Sequence, residues 1–169
     1  MSDIQRISAQ LAAIAELDHL LREHRLPYWL FGGWAVDFHV GRVTREHADV
    51  DIAVWLGDRS RLAALLRGGA WSHQPEVGED GYTCYYRHGV RLEIAFLSRD
   101  ASGDIYTPLE AGRGEWPHDS FGTAVAQLGG VHACLVSRES LVIDKSVARS
   151  DPETSAKDRS DVASLLHRT

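Results

Sequence analysis

Apolar residues at Ile4, Ile7, Leu11, Ile14, Leu17 and Leu21 recur at spacings of three and four, which predicts one amphipathic helix over 4–25 that Pro27 ends. Beyond it the pattern shortens. Tyr28 to Phe31 reads as a strand, Gly32-Gly33 as a tight turn, and Trp34 to Val40 as a short helix closed by Gly41. In Val50 to Trp55, Val50, Ile52 and Val54 alternate with polar or smaller residues, as a half-buried strand requires, and Arg59 to Arg67 is a helix stopped by Gly68-Gly69. Two further strand-like runs, Tyr82 to Arg87 and Val90 to Leu97, flank His88-Gly89 at the spacing of a two-residue hairpin. The stretch 98–130 is rich in Gly, Pro, Asp and Ser, has little periodicity, and is expected to be irregular around the anchors Trp116-Pro117 and Phe121. After it, His132 to Val136 reads as a strand and Ser137 as the N-cap of a helix reaching Ala148. A break at Pro152 and a last helix from Ser155 to His167, burying Val162, Leu165 and Leu166, complete the reading.

With 169 residues, 44% hydrophobic and 25% charged, the chain can bury one ordinary core, so a single domain over 1–169 is expected. Its parts are the helix 4–25, a core block 26–97, the segment 98–130 and the C-terminal strand and helices 131–169. Eighteen Lys and Arg against 24 Asp and Glu leave a net charge of −6, which disfavours a nucleic-acid partner and favours a cationic one. The first residues lack a basic stretch followed by an apolar one, and no apolar run is long enough to cross a bilayer; a soluble, cytoplasmic protein with no membrane partner is expected. Cys84 and Cys134 lack CxxC spacing and are read as buried free thiols.

Chemistry concentrates in LPYWLFGGWAVDFHVGRVTREHADVDIAVW, residues 26–55. A strand, two glycines and a helix bring backbone N–H groups and a helix N-terminus up to an anion, because a side chain at either glycine blocks the approach. Asp49 and Asp51 flank Val50, so a strand presents both carboxylates on one face and its apolar residues on the other. Glu93 repeats the arrangement opposite Leu92, Ile94 and Phe96. If both strands share a sheet, at about 4.8 Å spacing, the three acids form a site for hard divalent cations, compatible with the roughly 3.5–4 Å between ions in two-metal phosphoryl-transfer sites. Solvated acids at a strand end are the alternative, but three converging like charges destabilise a fold unless a cation neutralises them.

Gly32, Gly33, Asp49, Asp51 and Glu93 match the signature of the DNA polymerase beta-like nucleotidyltransferase superfamily, a Gly-Gly or Gly-Ser turn, then DxD or DxE, then a later acid on a strand. GGWAVD followed by GRVTREHADVDI more narrowly resembles the small nucleotidyltransferases that modify lincosamides and aminoglycosides, with weaker echoes in SRESLVIDK and AKDRSDVASLL. The third acid is Glu93, where those enzymes commonly carry Asp. The resemblance implies an α+β fold with a mixed β-sheet flanked by helices. It further implies transfer of a nucleoside monophosphate, with AMP from ATP expected, onto a hydroxyl with release of pyrophosphate. Asp49, Asp51 and Glu93 are then the catalytic and Mg²⁺-binding residues, with two ions expected, and Glu93 is a ligand, a general base or both. Transfer to a macromolecule, as in small antitoxin-like relatives, and a non-catalytic NTP-binding module are the alternatives. A homodimer is also implied.

Around this centre, Arg42 and Arg45 are candidates for phosphate contact or for pairing with Glu46 or Asp49. Lys145 resembles a family lysine that approaches the triphosphate, with plain solvent exposure as the alternative. His47 is expected to bond an acid beside the site and not to ligate Mg²⁺, which prefers oxygen. Lys157, Asp158 and Asp161 read as a solvated helix face with a Lys157–Asp161 pair. Trp34 and Trp55 are assigned to packing, and Tyr85, Tyr86 and Trp116 to a candidate acceptor pocket. The acidic stretch Glu76, Glu79 and Asp80 is expected to attract a cationic small-molecule acceptor.

Overall fold

A computed structural model of the chain describes residues 2–74 and 81–167. In chain order the elements are α1 (Asp3–Glu23), β1 (Tyr28–Phe31), α2 (Gly32–Val40), β2 (Val50–Trp55), a 3-10 turn (Leu56–Asp58), α3 (Arg59–Gly68), β3 (Ser72–His73), β4 (Tyr82–Arg87) and β5 (Val90–Arg99). Then come β6 (Ile105–Leu109), β7 (Gly112–Glu115), β8 (Val125–Leu128), β9 (Val131–Cys134), α4 (Arg138–Lys145) and α5 (Pro152–Leu166). The fold is α+β, a mixed sheet flanked by helices. Glu76, Glu79 and Asp80 lie outside the described residues.

The sheet runs in the order β1-β2-β5-β4-β3, with β2 and β5 parallel and the other neighbours antiparallel. Val50, Ile52 and Val54 of β2 and Leu92, Ile94 and Phe96 of β5 are each at most 1% exposed and form the core face together with Ile14, Leu17 and Leu21 of α1. Ile4, expected on the same stripe, is 78% exposed, one turn too early to reach the sheet. α1 ends at Glu23 and not at 25, because Arg25 takes a left-handed φ of 51° and Leu26 N–H bonds back to the Leu21 carbonyl. The β4–β5 hairpin turns at His88-Gly89 with φ of 49° and 78°, the doubly positive turn that matches strand twist.

Further expectations are corrected. The segment 98–130 is not irregular: β6 and β7 form a hairpin that extends from β5, and β8 pairs with β9. Its glycines and Pro108 lower strand propensity, while pairing to an existing strand supplies the order. The last helix starts at Pro152 and not after it, because Asp151 caps the Thr154 N–H and proline needs no N–H at the first helical position. On that helix Leu165 is buried but Leu166 is 64% exposed, and Asp158 and Asp161 occupy the inward face. Cys84 is buried, whereas Cys134 is only half-buried, and neither is in a disulfide among the described residues. Among the described residues no helix is long and apolar enough to cross a membrane.

Candidate active site

β2 and β5 pair so that Asp51 stands in register with Glu93. Both point away from the core face, and Asp49 joins them from the residue before β2. One oxygen from each of the three acids lies within 4.8 Å of the others. That is the oxygen-only donor set that suits a hard divalent cation. Burial, then Asp49 and Glu93, push the Asp51 carboxyl well above its usual range, while Lys145 and Arg91 pull it down. Arg91 Nη2 sits 3.0 Å from Glu93 Oε2, so a guanidinium offsets part of the negative charge. Tyr82 lies on the same face of β4; burial, Glu93, Asp144 and Asp51 raise its hydroxyl pKa.

The glycine turn lies directly against these acids. Phe31 pairs with Asp51 across β1 and β2, and Gly32, which follows, opens α2 at φ 66°. A Cβ on Gly32 would collide with the Asp51 carboxylate, and one on Gly33 with the His47 imidazole and Arg45 Nη2. Only glycine fits both positions.

Asp37, buried in α2, fastens the loop that leads to Asp49. Its Oδ1 accepts from the Thr44 N–H at 3.0 Å and from the Thr44 hydroxyl, and its Oδ2 lies 2.6 Å from His47 Nε2. Arg45 Nη1 stands 3.1 Å from His47 Nδ1, and since a guanidinium only donates, Nδ1 accepts and Nε2–H donates to Asp37. Gln10 Nε2 donates to the His47 carbonyl, and Trp34, fully buried, donates to Gln10. His47 thus bonds an acid beside the carboxylate cluster and belongs to no part of it.

Arg45 pairs with neither Glu46 nor Asp49 through their carboxylates. Its Nε and Nη2 donate to both oxygens of Asp161 at 3.0 and 2.9 Å. Lys145 is not solvent-exposed: it is 9% exposed and reaches Asp158 at 3.1 Å and Asp161 at 2.8 Å. Burial raises the Asp161 pKa, but Arg45 and Lys145 outweigh it and hold the carboxyl below its usual range. The solvated face expected at Lys157, Asp158 and Asp161 is therefore overturned; Lys157 pairs with Glu153 instead. Asp37, Asp158 and Asp161 escape a sequence reading that treats acids as surface residues. The available signal is the i, i+3, i+7 spacing of Asp158, Asp161 and Leu165 on one helix face. Arg42 is exposed and has no ion-pair partner among the described residues.

The carboxylate face of the sheet continues into an aromatic cluster. Trp116 meets Phe31 edge-on at 5.4 Å and Phe121 at 5.0 Å, and Trp29 contacts both Phe121 and Trp55. A cavity of about 240 Å³ opens beside it, lined by residues including Arg99, Asp104, Ile105, Trp116, Asp119 and Phe121. Tyr86 shares the carboxylate face, opposite Arg91, but Tyr85 pairs with Leu92 and is buried on the core side, away from the acids.

A family model of aminoglycoside-2''-adenylyltransferases matches residues 13–165. A 2''-aminoglycoside nucleotidyltransferase of Klebsiella pneumoniae is 34% identical over 73 residues, 42% of this chain and 41% of the relative. One of Escherichia coli is 37% identical over 59 residues, 35% of this chain and 33% of the relative. These matches span less than half of each curated relative's length. In fold, the chain is similar to the lincomycin-bound lincosamide adenylyltransferase LnuA, with a TM-score of 0.68, 21% identity and coverage of 87% of this chain and 90% of that one. It is also similar to ANT(2'')-Ia in complex with adenylyl-2''-tobramycin, with a TM-score of 0.73, 21% identity and coverage of 93% and 87%. With the glycine turn, the paired acids and a family match that runs from α1 into the last turn of α5, the chain belongs to the aminoglycoside-2''-adenylyltransferase family.

Proposed function

We propose that this chain transfers AMP from ATP to a hydroxyl of an aminoglycoside, releasing pyrophosphate. The observation that carries this reading is the Asp49, Asp51 and Glu93 cluster set against the Gly32-Gly33 turn. The family match supports an aminoglycoside in preference to a lincosamide acceptor, and its amines suit a chain of net charge −6.

Asp49, Asp51 and Glu93 are the residues that hold the divalent metal, Mg²⁺ in this reading and two ions in number; all are oxygen donors, and their mutual repulsion is relieved by a cation. When bound there, the metal polarises phosphoryl oxygens and lowers the pKa of an acceptor hydroxyl. The backbone N–H groups at Gly32 and Gly33, together with Arg42, Arg45 and Lys145, counter the charge of the triphosphate. The acceptor oxygen attacks the α-phosphorus in line; its bond to phosphorus forms as the bond to the β-phosphate bridging oxygen breaks, and pyrophosphate leaves. The hydroxyl proton goes to Glu93 or to water. Trp116 and the cavity beside Phe121 supply the acceptor surface. A cytoplasmic location and a homodimer complete the reading, the latter on resemblance alone.

The test incubates the protein with each NTP, Mg²⁺ and an acceptor panel of aminoglycosides, lincosamides, neutral alcohols and tRNA, with detection by mass. The reading expects one AMP added to aminoglycosides. Labelling of tRNA or of the protein alone would refute the acceptor assignment.

A further inference from the structure

We propose that Asp161, on the last helix, is a positioning residue for the triphosphate of the nucleotide, holding Arg45 and Lys145 together beside the Gly32-Gly33 turn. The proposal rests on the nucleotide site described above and adds to it a residue from the far end of the chain, 116 positions from Arg45.

The geometry is that of a shared counter-ion. A single oxygen, Asp161 Oδ2, lies 2.9 Å from Arg45 Nη2 and 2.8 Å from Lys145 Nζ, and the other oxygen takes Arg45 Nε at 3.0 Å. Two cations within reach of one oxygen repel each other strongly unless that oxygen is charged. With Asp161 only 1% exposed, water screens the repulsion poorly once the carboxylate is lost.

Donor counting shows what each cation has left. Arg45 gives Nε and one Nη2 hydrogen to Asp161, and its Nη1 hydrogens go to the Glu46 carbonyl and His47 Nδ1. One of its five hydrogens, on Nη2, has no acceptor among the described residues. Lys145 has three hydrogens and two carboxylate partners, Asp158 and Asp161, which leaves one. Each cation therefore keeps a single donor for an anion while the rest of its valence fixes its direction.

The location fits a phosphate chain. A Cβ on Gly33 would stand 2.8 Å from Arg45 Nη2, so the glycine leaves the guanidinium edge open beside the first turn of α2. Lys145 shares Asp161 Oδ2 with that same Arg45 Nη2, at 2.8 and 2.9 Å, which places the second cation next to the first. Asp158 likewise takes two cations, Lys145 and Arg149, so the nearness of Arg45 to Gly33 is what sets Asp161 apart.

The experiment compares wild type, Asp161→Asn and Asp158→Asn in the full chain, measuring KM for ATP, kcat, KM for the acceptor, melting temperature and Kd for inorganic tripolyphosphate with Mg²⁺. Asp161→Asn is expected to raise the KM for ATP and the tripolyphosphate Kd about tenfold, with kcat within about threefold and acceptor KM unchanged. Asp158→Asn, which touches Lys145 but not Arg45, gives a smaller rise. In a Lys145→Met background, Asp161→Asn adds less than it does alone. A lower melting temperature with unchanged nucleotide KM and tripolyphosphate Kd, or a fall in kcat at constant KM, overturns the proposal. If Asp161→Asn does not fold, Asp161→Glu, which keeps the charge and displaces it by one methylene, is expected to raise the KM for ATP and the tripolyphosphate Kd by a smaller factor, about threefold, and unchanged values overturn the proposal. Wild type that binds tripolyphosphate but transfers no nucleotide refutes the transfer reading alone, and Kd still decides this proposal. Wild type that binds no tripolyphosphate refutes both.

Discussion

Asp51 and Glu93 stand side by side in register on two parallel strands, with nothing but the width of the β2–β5 pair between them. Such a pair opposes folding at neutral pH, since burial and the neighbouring acids already push the Asp51 carboxyl upward. Repulsion of that kind persists where it serves to hold a cation.

Asp51→Asn should therefore stabilise the protein in EDTA at neutral pH while abolishing its chemistry. Melting with EDTA and with Mg²⁺ is the measurement: the variant melts higher than wild type without metal, and added Mg²⁺ raises wild type more than the variant. Turnover falls at least about a thousandfold, the loss of several kcal/mol of transition-state stabilisation. Glu93→Gln follows the same direction. A variant with wild-type turnover contradicts the metal assignment.

Gly32→Ala introduces a Cβ against the Asp51 carboxylate at a φ of 66°. The left-handed backbone alone costs about 1–2 kcal/mol, and the displaced carboxylate should lower kcat/KM about a hundredfold or more. Urea titration and steady-state kinetics check both. A neutral outcome in kinetics means that the turn does not abut the reacting groups.

Acid stability should carry the signature of Asp161. Its folded pKa lies below the unfolded value of about 3.9, so its stabilisation is complete above that pH and is lost as the pH falls through the lower, folded value. The difference in melting temperature between wild type and Asp161→Asn is thus largest near neutrality and shrinks below about pH 4. A difference that stays constant down to pH 2 indicates that the carboxylate is not held by its cations.

Trp116→Ala tests the acceptor surface. The side chain packs between Phe31 and Phe121 and its Nε1 donates to Thr107 at 2.9 Å. Its removal should raise acceptor KM about tenfold and leave the KM for ATP within about twofold. The reverse pattern would move the nucleotide to this side of the sheet.

Much of the carboxylate cluster was legible because a strand has a period of two: Val50, Ile52 and Val54 had to face the core, which left Asp49 and Asp51 together on the other side. Leu92, Ile94 and Phe96 do the same for Glu93, and parallel pairing in register brings the acids together. The ion network was not legible, because Arg45 and Asp161 meet only through the packing of α2 against α5, and local rules assign a KDRSD segment to solvent. The β6–β7 hairpin was hidden for a different reason. Pro108, Gly112 and Gly114 disfavour strands in isolation; they pair within the β6–β7 hairpin, which β5 anchors through Ile105 and Tyr106. Asp151-Pro152 reads as a break until the cap to Thr154 shows it to be a helix start.

The central claim, that three carboxylates against a glycine turn carry out metal-dependent adenylyl transfer to an aminoglycoside, is tested most directly by the mass of the product. Wild type, Asp49→Asn, Asp51→Asn and Glu93→Gln are each incubated with ATP and an aminoglycoside, with Mg²⁺ or with EDTA. The account predicts an acceptor heavier by one AMP, together with pyrophosphate, from wild type with Mg²⁺ only. Adduct formed in EDTA, or formed equally by a folded Asp51→Asn protein, would contradict it.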